Sequence, residues 1–385
     1  MNYLFICGSI SPTYCGIGKY ANKTINYLPI DTSIIYLTND QQLEYNQADQ
    51  STISPYKTVK ANLRKFSFKS LGSVYKIVKE NKPEIVNIQH QTFSKNYFDA
   101  VFNLIVKVAS PKTKTINTIH EFEHFSRLGK IRLIIAGFFS DRILLSDPRQ
   151  LEIYNQFTQN IFKNKTKVTF IGNNVNNQLE EYKTQYEPNS LNNEILILGY
   201  HGFIQPAKGV YELLEALKNY SGDFKLHILG EFKPILDYEG QDQIIEYQQK
   251  CLKLINDNQI LKDNIIIHGD IDPSSNKFKE ILEQVDLLIF PFQDFLTMRR
   301  GSFFTTLLAS NSLAVSTYKL GISESELEIF EGIGNDSDSI LNYLNKFKTL
   351  DNELKQQIYN KQLLFKNKMA DNQLEQELVR KDLLF

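Results

Sequence analysis

Eleven short apolar runs, each followed by a longer stretch with helical spacing, leave few folds open to this chain. In the first half they are YLFICG (3–8), SIIYLT (33–38), EIVNIQ (84–89), KTINTI (114–119), RILLS (142–146) and KVTFIG (167–172). In the second half they are EILILGYHG (194–202), KLHILG (225–230), NIIIHG (264–269), DLLIFPF (286–292) and LAVST (313–317). Helical patterns such as 18–28, 70–81, 209–219, 238–256 and 276–284 fall between them. Buried runs interleaved with helices build parallel sheets, because a parallel neighbour is reached only by a crossover long enough to hold a helix. The pattern restarts near residue 195 after the polar segment 176–194, which contains Pro188 and lacks an apolar period. The expected class is α/β: two Rossmann-like, doubly wound parallel-sheet domains facing across a cleft, with ligands at the C-terminal ends of the strands. The expected division is an N-terminal acceptor domain 1–180, a linker 181–194 and a donor domain 195–335. A helical segment, 336–385, can reach back to the N-terminal domain.

Composition narrows the partners. The formal charge of −1 gives no reason to expect nucleic acid. Cys7, Cys15 and Cys251 form no metal or redox spacing. The stretch MNYLFICGSI lacks a basic n-region and reaches Gly8 too soon for a signal peptide, and no apolar run approaches a membrane span. A cytoplasmic protein is expected, with room for peripheral docking on the inner face of the cell membrane. Of the basic residues only eight are arginine, and two of these, Arg299 and Arg300, stand side by side. The guanidinium is a fixed fork suited to phosphate, so the pair is informative in a lysine-rich chain.

Three stretches follow a strand and open a helix. SPTYCGIGKYANKTINYL (11–28) offers Gly16 and Gly18 for close backbone approach and a helix N-terminus for an anion. It is not the full dinucleotide fingerprint, and SIIYLT ends without the acidic residue that would hold a ribose. GYHGFIQPAKGVYELLEAL (199–217) ends a strand at Gly202 and sets Lys208 before an amphipathic helix. MRRGSFFTTLLASNS (298–312) sets Arg299 and Arg300 in the same position. Cations at helix N-termini oppose the helix dipole unless an anion joins them, and a diphosphate is the simplest shared anion.

The order GFIQPAKGVYELLEAL, KLHILGE, IIIHGDID, VDLLIFPF resembles the C-terminal half of a GT-B glycosyltransferase, family 4. CGIGKYANKTINYL, NIQHQ (87–91), TIHEF (118–122) and FIGNNV (170–175) fall in that family's order over nearly the whole chain. The resemblance implies a retaining, metal-independent transfer of a hexosyl group. The donor would be a nucleotide sugar, which is a substrate and no cofactor. The acceptor would be a lipid-linked or oligosaccharide molecule in surface polysaccharide or glycolipid synthesis. It implies that Gly16 and Gly18 line the diphosphate, that Lys208 contacts it, and that His120 stands beside the donor sugar. His90, Glu121 and Glu123 are acceptor-side candidates, and Glu231 a nucleotide contact.

Two departures shape the expected site. The family's arginine after the strand-ending glycine is Phe203 here. Its E-x7-E pair falls on Met298 and Thr306, in a variant with Arg-Arg-Gly-Ser at the turn. Arg299 or Arg300 would then restore the lost charge, with the backbone N–H groups of Gly301, Ser302 and Phe303 completing a phosphate cradle. Thr305 or Thr306 are the local hydroxyls left to hold the ribose. GDID (269–272) imitates a metal motif but suits helix capping before Pro273 and Ser274. A catalytically weak nucleotide-binding partner protein and a GT-B sugar-nucleotide epimerase are the competing readings. Finally, 57–79 carries seven basic residues and no acid, and 124–139 adds Arg127, Lys130 and Arg132 among apolar residues. An anionic membrane surface is the partner such segments would suit.

Overall fold

The computed structural model describes residues 1–7, 24, 28–29, 32–38, 58–62, 68–90, 100–120, 122–146, 148–169, 183–187, 195–232, 241–297, 300–318 and 330–370. Gly16, Gly18, Glu121, Met298 and Arg299 lie outside them, as do FIGNNV, Lys57 and 63–67 of the basic run. The chain divides into two compact units, one formed by the described residues up to Thr169 and the other by those from Lys183 onward.

The first unit holds a sheet of β1 (Asn2–Cys7), β2 (Ser33–Thr38), β3 (Thr58–Asn62), β4 (Ile85–His90), β5 (Lys114–Ile119), β6 (Arg142–Leu145) and β7 (Thr166–Val168). Among the described residues the strand order is β3-β2-β1-β4-β5-β6-β7. Every pairing is parallel, with Leu4 opposite Ile35 on one side and Val86 on the other. Helices Phe68–Asn81, Phe102–Ala109, Arg127–Phe138 and Pro148–Phe157 make the crossovers. Val74, Val78, Phe102 and Val106 pack on Leu4, Val86 and Ile88 to form one core cluster.

The second unit holds β8 (Ile195–His201), β9 (Asp223–Leu229), β10 (Ile265–Ile267), β11 (Leu287–Phe290), β12 (Leu313–Thr317) and β13 (Glu331–Ile333). Their order is β10-β9-β8-β11-β12-β13, again all parallel. In both sheets the strand order reverses beside the first strand, between β1 and β4 and between β8 and β11. Such a reversal splays the two following loops apart and opens a crevice at the strands' C-terminal ends. Helix Asn352–Ala370 belongs to the second unit. Gln362 accepts from the Ala314 N–H at 3.0 Å and donates to the Ala314 carbonyl at 2.7 Å, clamping β12. The segment 183–187 lies on that helix, with Tyr359 Oη donating to the Lys183 carbonyl and the Tyr186 N–H donating to Gln356.

Ten of the strands coincide with expected runs to within a few residues, and the start of KVTFIG falls in β7, Thr166–Val168. Arg132 is a correction to the expected basic surface. It is 5% exposed, stacked over Phe125 with 5.5 Å to the ring centroid. Asp272 of GDID makes a loop turn, its Oδ1 accepting from the Ser274 N–H at 2.9 Å, and the cap of helix Asn276–Leu282 is Ser275, whose hydroxyl oxygen accepts from the Phe278 N–H at 3.2 Å.

A histidine pair, His227 buried and His268 half-buried, spans β9 and the residue after β10. His227 Nδ1 and His268 Nε2 lie 3.0 Å apart with the rings stacked. Burial, reinforced by the neighbouring His268 and Lys225, pushes His227 down to about 4. Between that value and its ordinary 6.5 the unfolded chain binds the proton and the folded chain does not, so stability falls as pH falls through this window. At about 1.4 kcal/mol per unit, roughly 3 kcal/mol is lost by pH 4. Chemical denaturation of a His227→Gln variant should show a shallower loss between pH 6.5 and 4 than the parent chain; parallel curves would refute the assignment.

Candidate functional site

The crevice of the second sheet opens where β8 and β11 end, and the residues of interest gather there. Gly202 has φ +139°, a conformation that strains any side chain, and a Cβ on it would lie 3.1 Å from Ser302 Oγ. A Cβ on Gly230, after β9, would lie 2.1 Å from the Gly202 carbonyl oxygen, so two loops meet through bare backbone. The Gly202 N–H donates to the Leu229 carbonyl at 3.1 Å and locks this contact. Glu231 follows, half-buried at the same sheet end.

Lys208 closes a short turn, Pro206–Lys208, that precedes helix Val210–Lys218. Gly209 between them has φ +67°, and its missing side chain lets the Pro291 carbonyl approach. The Gln293 N–H donates to the Ala207 carbonyl at 3.1 Å, joining the loops after β8 and β11. Lys208 Nζ then stands 4.8 Å from the centroid of Phe292, and Arg300 Cζ stands 4.7 Å from the same centroid. The sequence separates these cations by 92 positions, and one buried ring gathers them. Asp294 forms an ion pair with Arg300, whose side chain is 13% exposed, and Arg300 Nε donates to the Phe295 carbonyl at 3.4 Å. Phe295 holds φ +65°, a costly conformation for an aromatic residue and one that collects at functional loops.

Arg300 is the N-cap of helix Gly301–Leu308 and supplies no side-chain cap. The first helical bond runs from Phe304 N–H to the Arg300 carbonyl, so the N–H groups of Gly301, Ser302 and Phe303 have no intrahelical acceptor. Ser302 Oγ is buried there with no hydrogen-bond partner among the described residues, and Thr297 Oγ1 is in the same condition. The Phe303 side chain belongs to the core, edge-on to Phe290 and Phe330, so only its backbone is placed to serve a ligand.

Thr306 is a correction. It is fully buried, and its hydroxyl donates to the Ser302 carbonyl one turn back at 2.7 Å, a local bond that threonine in a helix readily makes. His201 Nδ1 lies 2.8 Å from the Thr306 hydroxyl oxygen and 3.3 Å from the Ser302 carbonyl oxygen. Thr305 is also buried. Neither hydroxyl is presented to a ribose. His201 was not expected in the site. The signal for it was present, a histidine as the last strand residue before a glycine forced to positive φ.

In the first unit His120 follows β5, with Nε2 2.7 Å from Gln89 Oε1 and the Ser146 hydroxyl donating to its carbonyl at 2.6 Å. Gln89 donates to Asn87, which also accepts from Thr118, so a buried polar chain orients the imidazole. His90 ends β4. It is fully buried, 3.1 Å from an Asn117 oxygen that also accepts from Asn103, which makes it a core histidine. Glu123 is half-buried, paired with Arg149 at 2.8 Å, and its N–H donates to Gln150. Its carboxylate is thus held by a cation, which suits a structural anchor better than a proton carrier.

No protein-family model matches the sequence, and no curated protein matches it significantly. Solved structures do match along the whole length. Anabaena Alr3699/HepE in complex with UDP and glucose superimposes with a TM-score of 0.66 at 14% identity, covering 100% of this chain and 99% of that one. The lipopolysaccharide outer core galactosyltransferase WaaB in its apo form gives 0.58 at 13% identity, covering 99% and 98%. An E. coli structure described as trehalose-6-phosphate bound with UDP-2-fluoro glucose gives 0.66 at 10% identity, covering 100% and 99%. With two doubly wound parallel sheets and these neighbours, the chain has the GT-B fold.

Proposed function

We propose that this protein is a glycosyltransferase that moves a sugar from a nucleotide-sugar donor to a lipid-linked or oligosaccharide acceptor. The observation that carries the reading is the convergence of Lys208 and Arg300 on Phe292, beside the helix start at Gly301–Phe303, which has no side-chain cap, and the Ser302 hydroxyl, which has no partner among the described residues. Two cations and free N–H groups at one sheet end match the two negative charges and many acceptor oxygens of a diphosphate. Such donors stabilise the charge that grows on a departing nucleoside diphosphate. Asp294 would share Arg300 with the ligand. His120 is proposed to act on the sugar side of the reaction, and Glu231 on the nucleotide. The UDP and UDP-glucose complexes of HepE make uracil the base to try first. Retention of configuration, independence of metal and membership of family 4 belong to the same proposal, on the motif order in the sequence.

A thermal-shift panel of UDP, GDP and their sugars tests the reading, since a ligand raises apparent stability with the logarithm of its saturation. We expect one nucleoside diphosphate to raise Tm, and its sugar to be transferred to an acceptor extract. No shift with any of them would sink the proposal. Binding without turnover would mark a nucleotide-binding partner protein, and interconversion of the free sugar nucleotide without acceptor would mark an epimerase.

A further inference from the structure

Surface helices normally turn polar residues outward, and most of the described helices do. Phe68–Asn81 exposes Ser73, Lys76 and Glu80; Ser337–Thr349 exposes Asn342, Asn345 and Lys346. Helix Arg127–Phe138 does the reverse. Leu128 is 64% exposed, Ile131 49%, Ile135 41% and Phe138 59%. At 100° per residue these four fall within an arc of about 80°, so they form one stripe. Its opposite side is apolar as well, Leu133 packing in the core with Phe122 and Phe125. The outward stripe is therefore additional to what the fold needs. Phe157 and Ile161, 41% and 63% exposed, lie nearby: Lys130 Nζ stands 5.6 Å from the Phe157 centroid, and Phe138 meets Phe162 at 5.1 Å.

Charge distinguishes the possible occupants. Residues 101–170 contain eleven Lys and Arg against five Asp and Glu, an excess of six in a chain whose net charge is −1. The helix carries Arg127, Lys130 and Arg132 and no acidic residue. A second copy of the chain would bring the same positive excess against itself. An anionic lipid surface offers opposite charge and an apolar interior at once. The helix has 12 residues, and none among the described helices is long and apolar enough to cross a membrane, so the fitting geometry is in the plane of the interface.

We propose that this face docks the protein on an anionic bilayer, with Leu128, Ile131, Ile135 and Phe138 among the acyl chains and Arg127 and Lys130 at the headgroups. The site is independent of the proposed reaction. The chain contains no tryptophan, so Leu128→Trp introduces a sole indole at an exposed position. Phosphatidylcholine vesicles with and without phosphatidylglycerol are the probe. The expected result is a blue shift of indole emission and quenching by brominated acyl chains with the anionic vesicles, and no change for Glu152→Trp on an exposed polar position. Ile131→Glu with Ile135→Glu should reduce co-flotation with anionic vesicles at least about tenfold at unchanged Tm, since both positions face solvent. Equal flotation of parent and double variant, or indole emission indifferent to vesicles, overturns the proposal. So does self-association in sedimentation that the double variant abolishes while vesicles are ignored, which would make the face an interface between copies.

Discussion

Lys208→Met is expected to lower kcat for sugar transfer by about 100- to 1,000-fold, the usual consequence of removing one charge-stabilising donor from a preorganised site. Methionine keeps a linear apolar stem over Phe292, so Tm should move by no more than a degree or two while the charge is lost. The split between activity and Tm is the measurement, because a merely structural lysine would move both or neither. Arg300→Ala is a more complex change. It strips Asp294 of its cation and leaves a carboxylate facing the anion site. The loss should therefore exceed that of the charge alone, and Arg300→Ala combined with Asp294→Ala should recover part of it. Additive or indifferent behaviour of the double variant would remove Arg300 from the diphosphate and leave it as an ion pair of the loop.

Stability should rise by up to roughly 5 kcal/mol between pH 7 and 10.5 through Lys366 alone. This lysine, on helix Asn352–Ala370, is fully buried and donates to the Ser310 carbonyl at 2.8 Å, just beyond the end of helix Gly301–Leu308. Burial pushes it from its ordinary 10.5 down to about 7. Between those values the unfolded chain carries a proton that the folded chain lacks, so raising pH favours folding; below 7 both carry it and the penalty is constant. Lys366→Met removes the linkage. Its unfolding free energy should exceed that of the parent near pH 6 and lose the advantage by pH 10. The Ser310 carbonyl left without its donor takes back about 1–3 kcal/mol of the gain. Curves for the two proteins that stay parallel from pH 6 to 10 would show that Lys366 keeps its proton in the fold.

Sequence periodicity carried most of this fold because both sheets are parallel and covered on both faces, which writes each inner strand as a continuous apolar run. SIIYLT, KTINTI and LAVST are strands at the bounds the pattern implies. The two strands it missed, TVKAN and EGI, are short and lie at the sheet edges β3 and β13 among the described residues, where a strand with one neighbour requires no such run. At the site, Lys208 and Arg300 were legible as cations where a helix dipole disfavours them. Phe292 as the surface that brings them together was not, because an aromatic at a strand end reads as core. The partner that Thr306 finds lies outside any motif, because His201 is 105 positions away. His90 and His120 look alike in sequence, each at a strand end, and only packing separates the core histidine from the one suspended on a buried amide chain.

The backbone contact between Gly202 and Gly230 limits how this protein can diversify. Any side chain at Gly230 would collide with the Gly202 carbonyl, and any at Gly202 would press on Ser302, so neither position can be used to reshape the ligand pocket. Under the proposed function, variation in donor choice would fall instead to Phe203, Glu231 and Phe232, which border the glycines and are half-buried. A library built on those three positions should retain folded members, whereas one that includes either glycine should consist mostly of chains that fail to fold.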